Sequence, residues 1–144
     1  MRLSINLDMA KTHVKVTLDT NLLVSAFVFG GKPEAILNLV FEKQIQVFSS
    51  PVLLSELYEV LNKKFYFDIK RINFLDRKLN EEFIIVHPLE TIDILKDKDD
   101  NRVLEAAIEG NCQYIVTGDQ GLLELGNFRK IKIITASELL GFLS

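Results

Sequence analysis

Residues 13–18 (His-Val-Lys-Val-Thr-Leu) alternate, with Val14, Val16 and Leu18 on one side and Lys15 and Thr17 on the other. A period of two predicts a strand. Asp19-Thr20-Asn21 forms a polar break, and the apolar Leu22 to Val28 predicts a helical turn closed by Gly30-Gly31. Pro33 suits the first position of a helix, because it has no N–H to lose there. Pro33 to Lys43 then sets Ile36, Leu37, Val40 and Phe41 at helical spacing. Ile45 to Phe48 is a short predicted strand, and Ser49-Ser50-Pro51 reads as a helix cap followed by a first-position proline. Leu54, Leu57, Val60 and Leu61 line one face of a helix over Leu53 to Lys64. Ile72, Leu75 and Leu79 do the same for Ile69 to Glu82. Phe83 to Val86 turns to strand and Pro88 stops it.

The second half repeats the alternation. Asp97 to Asn101 is an acidic break, Arg102 to Glu109 a helix ended by Gly110-Asn111, and Tyr114 to Thr117 a strand. Gly121 to Leu125 is a short helix, Ile131 to Ile134 a last strand, and Ala136 to Leu140 a last helix with an apolar continuation to Leu143. Five strands separated by helices predict an α/β chain, with a mainly parallel central sheet and helices on both faces. Residues 14–144 form one domain in this reading, and 1–13 an N-terminal extension, with Met9 as a second candidate start.

Composition narrows the chemistry. A length of 144 residues at 48% hydrophobic suits one domain with its own core. One cysteine, Cys112, cannot form an internal disulfide, and two histidines argue against a His-built metal centre. Cys112, beside an apolar strand, reads as buried filler, and His87, before Pro88, as non-catalytic. A net charge of −3 gives no global attraction for nucleic acid, so such a partner needs a local basic patch or bridging cations. No apolar run approaches the roughly 20 residues of a spanning helix, and the first 15 residues do not read as a signal peptide. The expectation is a cytoplasmic protein without a membrane partner.

Four acids stand apart by their position. Asp19 follows the first strand and Asp119 the strand Tyr114 to Thr117, so both point beyond the carboxyl ends of parallel strands, where such sheets bind ligands. Asp100 precedes the helix Arg102 to Glu109, and Glu56 lies in the first turns of the helix after the second strand. Asp19 and Asp119 also suit helix caps, Glu56 a solvated helix face and Asp97 to Asp100 a solvated loop. Crowded carboxylates raise one another's pKa unless a counter-charge intervenes. An all-oxygen set suits Mg²⁺ or Mn²⁺, and such ions support phosphodiester hydrolysis. An EF-hand fails, since Arg102 and Ile108 occupy the positions that need Gly and Glu. A P-loop is absent, because Pro33 follows Gly30-Gly31-Lys32. Asn21 stands where a dehalogenase-type phosphatase needs a second Asp.

The order of motifs resembles the PIN-domain nucleases, especially the VapC-like toxins of toxin–antitoxin modules. The pieces are VTLDTNLLVSAF at 16–27, SSPVLLSELYEVL at 49–61, DKDDNRVLEAAIEG at 97–110, YIVTGDQGLL at 114–123 and the closing KIKIITASELLGFL. The resemblance implies a three-layer α/β/α sandwich and a Mg²⁺- or Mn²⁺-dependent endoribonuclease. It also implies a homodimer and a cognate antitoxin. It places the metal ligands and catalytic acids at Asp19, Glu56, Asp100 and Asp119, with Asp99 as the fallback for the third, and orienting polar groups at Asn21 and Thr117. A non-catalytic RNA- or protein-binding module on the same fold is the alternative. For phosphate contacts the first candidates are Lys63, Lys64, Lys70 and Arg71, with Arg77 and Lys78 beside them. Tyr58, Phe65, Tyr66 and Phe67 nearby read as core or interface before base stacking or an antitoxin groove.

Overall fold

A computed structural model describes residues 13–143, so the expected N-terminal extension lies outside the described residues except for His13. The strands are β1 (Val14–Leu18), β2 (Ile45–Ser49), β3 (Ile84–Ile85), β4 (Tyr114–Val116), β5 (Asn127–Phe128) and β6 (Ile131–Ile134). The helices are α1 (Thr20–Val28), α2 (Gly31–Phe41), α3 (Pro51–Phe65), α4 (Ile69–Glu82), α5 (Lys98–Glu109), α6 (Gln120–Leu125) and α7 (Ala136–Leu143). The sheet order is β3-β2-β1-β4-β6-β5. Every pairing is parallel except β5 with β6. Among the described residues no single helix is long and apolar enough to cross a membrane.

The period-two pattern divides the strand side chains between two cores. Val16, Leu18, Ile45, Val47, Val116 and Ile134 face a cluster built with α1, α2, α3, α4 and α7. Phe48, Ile115, Ile131 and Ile133 face a second cluster built with α5 and α6. The α/β/α layering expected from the alternation is therefore present. Leu57, Leu61, Leu79 and Leu104 are fully buried, and truncating any of them to Ala removes roughly 2–5 kcal/mol by lost transfer energy and a residual cavity. Gly110 ends α5 against the sheet. A Cβ there would lie 2.6 Å from the Phe48 ring, so only glycine permits this approach.

Three local expectations are corrected. The sheet has six strands among the described residues, because the two-residue β5 folds back antiparallel onto β6 through Arg129 and Lys130, both at positive φ. The Asp19-Thr20-Asn21 break is shorter than its polarity suggests, since α1 begins at Thr20. Asp100 does not precede its helix. Asp97 caps α5 by accepting from the Asp99 amide at 2.9 Å, which draws Asp99 and Asp100 into the first turn. Side-chain capping satisfies amides that have no partner inside the helix.

Candidate functional site

β1 and β4 lie side by side in parallel, with Leu18 opposite Val116, so the residues that follow them emerge together. The Asp19 amide donates to the Val116 carbonyl at 3.0 Å. The Thr117 hydroxyl, fully buried, donates to Asp19 Oδ2 at 2.7 Å and accepts from the Asp119 amide at 2.9 Å. One hydroxyl thereby fixes both acids. Asp19 stands at the N-cap position of α1, yet its side chain makes no capping bond. Asp119 does cap, since its Oδ2 accepts from the Leu122 amide at 3.0 Å. The two uses foreseen for an Asp after a strand thus divide between these residues, and Asp119 combines capping with a place on the acidic edge.

Asp100 enters the same edge from α5, 8% exposed, close to Asp119. Gly121 leaves them room, because a Cβ there would lie 3.2 Å from Asp119 Oδ2 and 3.8 Å from Asp100 Oδ2. Glu56, on α3, is half-buried with Asp99 close by, so the fallback acid takes a place of its own beside Glu56. Burial, and then the nearby charges of Asp119 and Asp97, push the Asp100 carboxyl up to about 7. Burial, and then Asp99, push Glu56 up to about 7 as well. Asp19 is also raised, chiefly by burial, with Thr117 pulling the other way and Asp119 adding to the rise. These are the shifts that desolvation and like charge produce together.

Among the described residues the ion pairs are Lys43–Glu82, Lys63–Glu59, Lys78–Glu82, Arg102–Glu105 and Arg129–Glu90, so none reaches this edge. The Thr20 hydroxyl, 4% exposed, faces Glu56 and eases its proton affinity, but forms no hydrogen bond of good geometry. Crowded oxygen donors without a counter-cation, beside a buried unpartnered hydroxyl, match the ligand chemistry of a hard divalent cation. The arrangement is two close acid pairs, Asp100 with Asp119 and Glu56 with Asp99, around Asp19. Among the described residues no three acidic, His or Cys side chains converge as a ready-made cage.

Two hollows flank different parts of the molecule. A cleft of about 470 Å³ runs from Asp119 past Gly118 and Gln120 to Asn21, Ser25 and Pro33. A groove of about 370 Å³ is walled by Phe27, Phe41, Phe67 and Phe74, with Arg71 and Lys78 at its rim. The basic candidates associate with the second hollow. Arg71 stacks over Phe67 at 3.6 Å and Lys78 lies over Phe41 at 5.0 Å. Lys63, in the last turn of α3 beside Lys64, pairs with Glu59 at 2.9 Å, and Lys70 opens α4. None of these cations lines the acid-side cleft. Of the aromatics, Phe67 is buried, Phe65 packs edge-on against Phe29, and Tyr66 is exposed at the left-handed end of α3. Tyr58 is half-buried, and burial with Asp76 nearby pushes its phenol upward. Cys112 is buried against Thr17 and pushed up to about 11 by burial, which leaves it unreactive. His87 is exposed just after β3.

Asn101 escaped the sequence reading as an individual residue. It is fully buried, and its Oδ1 accepts from the Ile94 and Leu95 amides at 3.1 and 2.9 Å. Its Nδ2 donates to the Leu95 carbonyl at 3.1 Å. The residue pins the chain leading into α5 and so sets the height of Asp99 and Asp100. Its only sequence signal was an amide placed directly after two acids.

The sequence profile of the PIN domain matches residues 15–121. The uncharacterized protein MJ1680 of Methanocaldococcus jannaschii is 32% identical over 127 residues, covering 85% of this chain and 81% of its own length. Among solved structures, VapBC2 from Rickettsia felis, bound to a DNA fragment from its promoter, aligns with a TM-score of 0.60 at 18% identity. FitAcB from Neisseria gonorrhoeae aligns with a TM-score of 0.53 at 14% identity. Each alignment covers 85% of this chain and 98% of the other. At these identities the two structures speak for the fold alone.

Proposed function

The chain belongs to the PIN-domain family, and on that premise we propose that it is a metal-dependent endoribonuclease, the toxin of a toxin–antitoxin pair. The observation that carries this reading is the acidic edge. Asp19, Asp100, Asp119, Glu56 and Asp99 gather beyond the carboxyl ends of β1 and β4 with no Lys or Arg among the described residues paired to them. Mg²⁺ or Mn²⁺, when bound, supplies the positive charge that activates water and stabilises the leaving oxygen. Asp19, Asp100 and Asp119 would hold it, with Glu56 as a further ligand or as the group that orients the attacking water. Thr117 keeps the Asp19 carboxylate aimed at the edge through its 2.7 Å bond. Asn21, exposed at the mouth of the adjoining cleft, orients the phosphate. Lys63, Lys64, Lys70 and Arg71 serve phosphates further along a longer RNA.

The antitoxin rests on the VapC-like order of motifs and on the likeness in fold to VapBC2 and FitAcB. The aromatic groove of Phe27, Phe41, Phe67 and Phe74 offers it an apolar surface. A homodimer in the cytoplasm completes the reading. One observation favours the second reading, a non-catalytic RNA- or protein-binding module: among the described residues the acids stand as two close pairs and not as a closed cage.

Cleavage of a mixed single-stranded RNA pool with Mn²⁺, with Mg²⁺ and with EDTA, alongside Asp19→Ala, separates the two. Metal-dependent cleavage that vanishes in the variant supports the nuclease. Equal products from both proteins, or RNA retained without cleavage under every condition, would oppose it.

A further inference from the structure

The cleft beside the acids differs in kind from a phosphate track. Asn21 and Ser25 lie one helical turn apart on α1 and line the same wall. Among the described residues neither side chain has a hydrogen-bond partner, and across from them Gln120 makes only a long 3.4 Å bond to Glu124. Leu22 and Pro33 add apolar surface. No Lys or Arg contributes to the lining, and Asp119 is shared with the acidic edge. The volume, about 470 Å³, falls within the roughly 300–1,000 Å³ usual for small-ligand sites. Apolar surface from Leu22 and Pro33 beside neutral amide and hydroxyl groups, in a cleft that touches Asp119, suits one ligand class. That class has a planar face to pack and donor and acceptor edges to read, as an unpaired base does. Paired bases are excluded, since a duplex hides those edges in stacked pairs.

We propose that this cleft binds one nucleobase of single-stranded RNA next to the phosphodiester facing the acids, with Ser25 and Gln120 selecting the base. The proposal rests on the ribonuclease reading. The test has two arms, both with the full chain. The first sequences the ends produced from a randomised single-stranded RNA pool with Mn²⁺ by wild type, Ser25→Ala and Gln120→Ala. The second measures binding of labelled hexanucleotides of each single base to Asp19→Ala and to the same two substitutions in that background.

Wild type is expected to prefer one base at a position adjoining the cut. Each substitution should reduce that preference about threefold to tenfold, the worth of one hydrogen bond, while the melting temperature stays put. Cleavage with the preference unchanged in both variants overturns the base pocket and leaves the nuclease standing. Base-selective hexamer binding that the substitutions abolish, without cleavage by wild type, supports the pocket and removes the nuclease. Neither binding nor cleavage of single-stranded RNA overturns both.

Discussion

Two hollows of this molecule invert the usual association of charge with nucleic acid. The groove that carries cations, Arg71 and Lys78, is walled by phenylalanines, and both cations rest on aromatic rings. The cleft that meets the acidic edge carries an acid, two amides and a hydroxyl, with no cation in its lining. At the acidic edge the attraction for a polyanion has to come from a bound cation, whereas at the groove the arginine and lysine stems mainly cover apolar surface. Under the proposed function, reaction belongs to the acid-side cleft and partner binding to the aromatic groove.

Removing an acid at the reactive edge should have the largest effect. Asp19→Asn keeps the size of a buried side chain but deletes its charge, and cleavage should fall by more than about 100-fold, exceeding what outer-sphere partners contribute. A rate assay on one defined oligonucleotide checks it, with Phe74→Ala in the aromatic groove as a control expected to keep the rate. Similar losses in both proteins would erase the distinction between the hollows.

Thr117→Val comes next. It removes the hydroxyl that holds Asp19 and receives the Asp119 amide, and a supporting hydrogen bond of this kind is worth about 10–100-fold in metal affinity or activity. Thr117→Ser should recover most of it, and a metal titration of both variants gives the answer.

The third prediction concerns pH. Asp100 and Glu56 hold their protons to about 7 in the folded chain, whereas unfolded carboxylates ionise near 4. A raised folded pKa stabilises the fold below the unfolded value, and that contribution is lost as pH rises through about 7. Divalent cations need the ionised carboxylates. The gain in melting temperature on adding Mn²⁺ should thus be small at pH 5.5 and grow toward pH 8. A gain that is flat across this range would place the cation elsewhere.

The smallest effect belongs to the cationic side. Lys70→Ala and Arg71→Ala should weaken binding of long RNA modestly, each lowering the slope of log affinity against log salt by about one. Salt titrations with RNAs of increasing length measure this. A large loss on a hexanucleotide would move the substrate to the aromatic groove.

Much of this organisation was legible in the chain. The apolar stripe of Ile72, Leu75 and Leu79 marked α4 at its actual limits, because no competing signal interrupts it. The strand ends that carry Asp19 and Asp119 followed from alternation and from the parallel order it implies. What escaped depended on bonds between distant or polar residues. The Asp97 cap is indistinguishable in sequence from a solvated acidic loop, so the start of α5 was misplaced. The two-residue β5 has too little pattern to register and exists through its pairing with β6. The Glu56–Asp99 pair joins α3 to α5 across the fold and has no local signature. The acid-side cleft also arises only when α1 and the Gly118–Gln120 turn are brought together.

The central claim is that the edge formed by Asp19, Asp100 and Asp119 takes a divalent cation. Calorimetric titration of the full chain with Mn²⁺ at pH 7, in two buffers of different ionisation enthalpy, tests it most directly, with Asp19→Ala in parallel. The account predicts saturable binding to wild type with release of protons from Asp100 and Glu56, and binding lost or greatly weakened in the variant. Binding of equal strength to both proteins, or none to wild type, would contradict it.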